Sequence, residues 1–85
     1  MRQIKAIDDV IVHEEDGDAF LLHAASGSYY GLNRSGLIVW NAILDGKDPG
    51  TALTDKWPQR PAEVLRTDAE NLVDRLLEAG LIVES

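Results

Sequence analysis

Asp16-Gly17 stands between two short β-branched or aromatic runs, Val10-Ile11-Val12 and Phe20-Leu21-Leu22, and this arrangement constrains the chain more than any other feature. An Asp-Gly pair tolerates positive φ at both turn positions, so it joins two antiparallel strands through a tight loop. A second reversal follows at Ala24-Ala25-Ser26-Gly27, and Ser28-Tyr29-Tyr30-Gly31-Leu32 reads as a third strand. The expectation is a three-stranded antiparallel meander. With the first turn centred on Asp16-Gly17, Ile11 faces Leu22 and His13 faces Phe20; with the second centred on Ser26, Leu22 faces Tyr30 and Phe20 faces Leu32. Ile11, Phe20, Leu22, Tyr30 and Leu32 then form the expected core face. Val10, Val12, Leu21 and Tyr29 on the other face are apolar too, so that face calls for a cover, from Ile4 and Ile7 or from another chain.

After the third strand the pattern changes period. Asn33 is a good N-cap, and Leu37, Ile38, Trp40, Ile43 and Leu44 follow at helical spacing until Asp45-Gly46 closes the run. Asp48-Pro49, a cap followed by proline at the first helical position, opens a short helix through Leu53 to about Trp57, which Pro58 ends. A third helix starts at Pro61, or at Thr67 if Thr67-Asp68-Ala69-Glu70 acts as a capping box. Leu65, Ala69, Leu72 and Leu76 keep step across both starts, which favours one helix from about Pro61 to Ala79. With Val73 and Leu77 its apolar stripe spans about 160°, where roughly 100° is enough to face one core, so one edge is expected to border a groove. Gly80 caps the helix, and Leu81-Ile82-Val83 is expected to pack back as an extended tail. The fold class is α+β, a single domain over residues 1–85, with three antiparallel strands followed by three helices.

Several functions are excluded by what the chain lacks. Its 85 residues, 45% hydrophobic, support one modest core and leave no room for a catalytic domain beside a binding domain. With no cysteine there is neither a disulfide framework nor a thiolate metal site. His13 and His23 are the only imidazoles; both fall in strands, opposite Phe20 and Val10 rather than each other, which is a structural or surface setting and no two-histidine metal site. Glu14-Glu15 and Asp8-Asp9 are adjacent strand residues pointing to opposite faces, so they read as solvated charge. Gly27 to Gly31 lacks the lysine and Ser/Thr of a phosphate loop and reads as turn plus strand. No enzyme and no cofactor is expected. Met1-Arg2-Gln3-Ile4-Lys5 lacks a secretory apolar run and no stretch nears the ~18 apolar residues of a membrane span, so a cytoplasmic protein is expected. Eight basic against 15 acidic residues, net −7, keep such a domain in solution and repel phosphate backbones, which argues against nucleic acid as partner.

Gly27-Ser28-Tyr29-Tyr30-Gly31-Leu32-Asn33-Arg34-Ser35-Gly36, then Val39-Trp40, Leu44-Asp45-Gly46, Leu76 and Ala79-Gly80-Leu81-Ile82, form an ordered set from one end of the chain to the other. This set resembles the PqqD-like family, small winged-helix-like domains called RiPP recognition elements, over about Val10 to Val83. The resemblance implies that the chain binds the leader of a ribosomally made precursor peptide, which joins the third strand as an extra antiparallel strand and packs against the third helix. Carried over by position, the strand contributes Ser28, Tyr29, Tyr30, Gly31 and Leu32, and the helix Asp68, Ala69, Leu72, Val73, Arg75 and Leu76. Tyr30, Leu32 and Leu76 serve a core equally well, so Tyr29, Gly31, Leu72, Asp68 and Arg75 are the better ligand candidates. Trp40 and Asn33 are assigned to core and cap.

Within the family, a free-standing chain of this size looks most like the separate recognition protein of lasso-peptide pathways, with a leader peptidase as its partner enzyme. Its sibling is the chaperone that presents a precursor to a radical SAM enzyme in quinone-cofactor synthesis. Winged-helix topology also serves DNA-binding regulators, but Asp68, Glu70, Asp74 and Glu78 against Arg75 alone give the third helix the wrong sign for a major groove. A free strand edge can also pair with its own copy in a symmetric homodimer.

Overall fold

A computed structural model describes residues 3–84 of the chain. Its elements run β1 (Ile4–Ala6), β2 (Val10–Glu15), β3 (Asp18–His23), β4 (Ser28–Leu32), α1 (Arg34–Leu44), α2 (Pro49–Lys56), α3 (Ala62–Glu78) and β5 (Ile82–Glu84). The α+β, winged-helix-like expectation holds: β2, β3 and β4 form an antiparallel sheet in that order, and three helices follow it. Asp16 and Gly17 both adopt positive φ, 54° and 86°, in the tight turn that pairs Glu15 with Asp18. The β2–β3 register matches the sequence reading, with Ile11 opposite Leu22 and His13 opposite Phe20.

The β3–β4 register does not match. Leu22 lies opposite Tyr29 and Phe20 opposite Gly31, one residue away from the expectation. The cause is local: four residues, Ala24 to Gly27, form the turn, closed by the Gly27 N–H donating to the His23 carbonyl at 2.8 Å with Gly27 at φ 73°. His23 Nδ1 and Ser26 Oγ lie 2.8 Å apart, and the Ser26 hydroxyl donates to Ser28 Oγ at 2.9 Å, which pins the same turn. An even-numbered turn shifts pairing by one relative to a turn centred on a single residue, and one step exchanges the faces. The core face is therefore Ala19, Leu21 and Leu32, with Val10 and Tyr30 partly buried against it. Ile11, Phe20 and Leu22, expected inside, are exposed.

The helices cover that core face with Val39, Trp40, Ile43, Leu53, Leu65 and Leu76. Local chemistry sets their ends. Asn33 Oδ1 accepts from the Gly36 N–H at 2.9 Å to start α1, and Asp48 Oδ2 accepts from the Thr51 N–H at 2.9 Å to start α2. Past α1, Gly46 N–H reaches the Ile43 carbonyl and Lys47 N–H that of Ala42; past α3, Gly80 and Leu81 repeat the pattern on Leu77 and Leu76. Both are Schellman closures with glycine in the left-handed region. The helix α3 starts at Ala62, so Thr67 caps nothing: its hydroxyl donates back to the Glu63 carbonyl at 3.0 Å. The tail pairs with the start of the chain, Ala6 with Ile82 and Ile4 with Glu84, in a second, two-stranded sheet that buries Leu81 and Ile82. Ile4 and Ala6 thus pack on the main core rather than covering the other face of the three-stranded sheet.

Candidate functional site

Among the described residues β4 is an edge: it pairs with β3 on one side and with no strand on the other. The alternation of an antiparallel ladder says which of its groups are free. Glu15 and Asp18 flank a two-residue turn and exchange hydrogen bonds, so Asp18, Phe20 and Leu22 turn their backbone groups toward β2. Ala19, Leu21 and His23 turn theirs toward β4 and meet Leu32, Tyr30 and Ser28. The backbone N–H and C=O groups of Tyr29 and Gly31 consequently point off the open edge, where an added strand would pair.

The chain leaves β4 at a close corner. A Cβ at Gly36 would stand 3.1 Å from Leu32 Cδ2 and 3.3 Å from Asn33 Oδ1, so any larger residue there would have to push the Leu32 side chain or the Asn33 cap back by a few tenths of an ångström for the first turn of α1 to lie against the end of the strand. At this corner a cleft of about 230 Å³ opens between the start of α1 and α3. Asn33, Ser35 and Val39 line it on one side, and Asp68, Asn71, Leu72 and Arg75 on the other, with Leu53 below. Leu72 is partly buried against the core, while Asp68, Asn71 and Arg75 are exposed. Val39, Leu53 and Leu72 give the cleft its apolar lining, and polar groups of both charge signs supply the larger share of its surface, so it could take polar or charged side chains over a small apolar contact.

Of the residues proposed from sequence, Asp68, Leu72 and Arg75 come together in this cleft. Tyr29 and Gly31 supply the free backbone edge, and Tyr29 is 70% exposed. Ser28 is held by the preceding turn, its N–H donating to Ser26 Oγ at 3.2 Å. Tyr30 is partly buried, and Leu32 and Leu76 are core. Ala69 and Val73 are buried and border a different cleft, about 830 Å³, on another flank of α3 against β1 and the α1–α2 turn. No residue of β4 or of the corner after it lines that larger cleft, whereas the smaller one begins at Asn33, directly after the strand. Asn33, Ser35 and Asn71 are not among the site residues proposed from sequence: Asn33 carries a helix-cap signal, Ser35 stands only within the run that resembles the family, and Asn71 carries no signal. His13 lies 3.6 Å from the Glu15 carboxylate with both exposed, and among the described residues no group of His, Asp and Glu is placed to hold a metal.

The family model described as coenzyme PQQ synthesis protein D (PqqD) matches residues 10–82. This chain belongs to the PqqD family. The PqqD match runs from β2 into β5 and so contains both the open edge and α3. Among solved structures, the PqqD-family chain is similar to "TbiB1 in complex with the TbiA(beta) leader peptide", with a TM-score of 0.80, 23% identity, and 92% of this chain and 93% of that one covered. It is likewise similar to "lasso peptide synthetase B1 complexed with the leader peptide", with a TM-score of 0.81, 23% identity, and 95% and 98% covered. At this identity the likeness is one of fold. No curated protein sequence matches the chain significantly.

Proposed function

We propose that this PqqD-family domain is a non-catalytic binder that captures the leader segment of a ribosomally synthesised precursor peptide as an added strand on β4, and delivers it to a separate processing enzyme. The observation that carries this reading is the open edge of β4 at Tyr29 and Gly31, together with the cleft that begins at Asn33, directly after that strand, and holds Asp68, Leu72 and Arg75. Backbone pairing would supply affinity regardless of sequence, and the cleft would select alternate side chains. Two solved proteins of this fold are complexes with leader peptides, which supports the same guest. One of the two is a lasso peptide synthetase B1, which favours the lasso-pathway reading, with a leader peptidase as the enzyme served. The description of the family model favours a second reading, presentation of a precursor in coenzyme PQQ synthesis.

Fluorescence anisotropy with labelled leader peptides of both pathway types tests the proposal. Leader binding is expected to saturate, to weaken on the order of tenfold in Leu72→Ala, and to be abolished by Gly31→Pro, which deletes an edge N–H without touching the β3 ladder. Far-UV circular dichroism should show both variants folded. Flat titrations with every leader, together with salt-sensitive binding to duplex DNA, would overturn it.

A further inference from the structure

The outward face of the three-stranded sheet carries large apolar side chains in register. Ile11, Leu22 and Tyr29 are direct cross-strand neighbours, 57%, 37% and 70% exposed, and Phe20 beside them is 39% exposed. Exposed apolar residues are ordinary when scattered, but a contiguous set marks a surface that something covers. Phe20 and Tyr29 stack with ring centroids 5.5 Å apart and an interplanar angle of 11°. The partner of Phe20 across the ladder is Gly31, where a Cβ would lie 3.6 Å from Phe20 Cε1 and 3.8 Å from Cδ1. The Phe20 ring thus leans over the glycine, and the missing side chain leaves a gap at the open edge, bounded by Tyr29 and backed by Phe20.

We propose that this gap is an outward-facing subsite for the guest peptide: the residue seated opposite Gly31 lays a large apolar or aromatic side chain over the glycine against Phe20, with Tyr29 alongside. The inference rests on strand addition to β4. Topology then names the occupant, because any strand hydrogen-bonded to Gly31 places one side chain opposite it on this same face. A side chain there continues the sheet's apolar surface at the one edge position where no host side chain intervenes. The guest would be read on both faces, by the cleft at one parity and by Phe20 and Tyr29 at the other.

A peptide selected from a displayed random library against the wild type serves as the probe, scanned with alanine by anisotropy against wild type, Phe20→Ala, Phe20→Leu and Gly31→Val. One probe position, of opposite parity to those that depend on Leu72, is expected to lose about threefold on the wild type, the scale of a good cross-strand pair. The same alanine should cost nothing on Phe20→Ala or Gly31→Val and an intermediate amount on Phe20→Leu. Binding that depends on Leu72 and Gly31→Pro but shows no such position would overturn the subsite and leave leader capture standing. A library that returns no peptide sensitive to Gly31→Pro would remove strand addition itself.

Discussion

Leu21 and Leu22 are adjacent and chemically identical, yet Leu21 is 0% exposed beneath α1 and Leu22 is 37% exposed on the outward face. Truncating Leu21 to alanine removes packed atoms that little can replace and is expected to cost roughly 2–5 kcal/mol. Leu22→Ala should cost about 1 kcal/mol or less, since it loses mainly cross-strand contact with Ile11 and Tyr29. Urea midpoints of the two variants measure the difference, and equal losses would contradict the β3–β4 register. The helix starts offer a second contrast. Asp48 Oδ2 accepts from both the backbone N–H and the hydroxyl of Thr51 at 2.9 Å, so Asp48→Ala should cost about 1 kcal/mol. Thr67→Ala should change stability by less than about 0.5 kcal/mol, because its hydroxyl only back-bonds to Glu63 within a continuous helix. Both sets of residues look like caps in the sequence; only the one at a true helix end acts as one.

At the scale of elements, the hairpin, the helices and their closures follow from neighbouring residues, and they were legible for that reason. The pairing of β1 with β5 was not, because it joins segments from the two ends of the chain and neither has a periodic signature in three residues. The tail nevertheless matters to the core, since Leu81 and Ile82 are each 1% exposed. A chain ending at Gly80 gives up about 3–6 kcal/mol of burial, comparable to the whole stability of many small domains. It is expected to lose its cooperative thermal transition, followed by circular dichroism at the helical minimum. A truncated chain that melts at the wild-type temperature would show that β5 contributes nothing. The candidate site was legible in the same uneven way. Tyr29, Gly31, Asp68, Leu72 and Arg75 could be named from the resemblance, but α3 divides its apolar residues between core and two separate clefts, and helical spacing alone cannot say which neighbour each meets.

Over the whole molecule, the net charge of −7 acts with the acidic α3 to oppose a polyanion. Anisotropy with labelled duplex DNA at physiological ionic strength is accordingly expected to stay flat, where binding that declines steeply with salt would point to a phosphate-contacting surface. Among the described residues no helix is long and apolar enough to cross a membrane. The three strands and three helices of the main body, their order, the Asp16-Gly17 turn and the glycine closures of α1 and α3 were determined by the sequence alone, because each depends on residues within a few positions of one another. Which face of the sheet is core was decided only in the tertiary structure. Both faces are apolar, so composition could not choose between them, and with a side-chain period of two a single residue in the Ala24 to Gly27 turn exchanges them. That exchange buries Leu21 under the helices and brings Phe20 out beside Gly31, at the edge where a guest strand would lie.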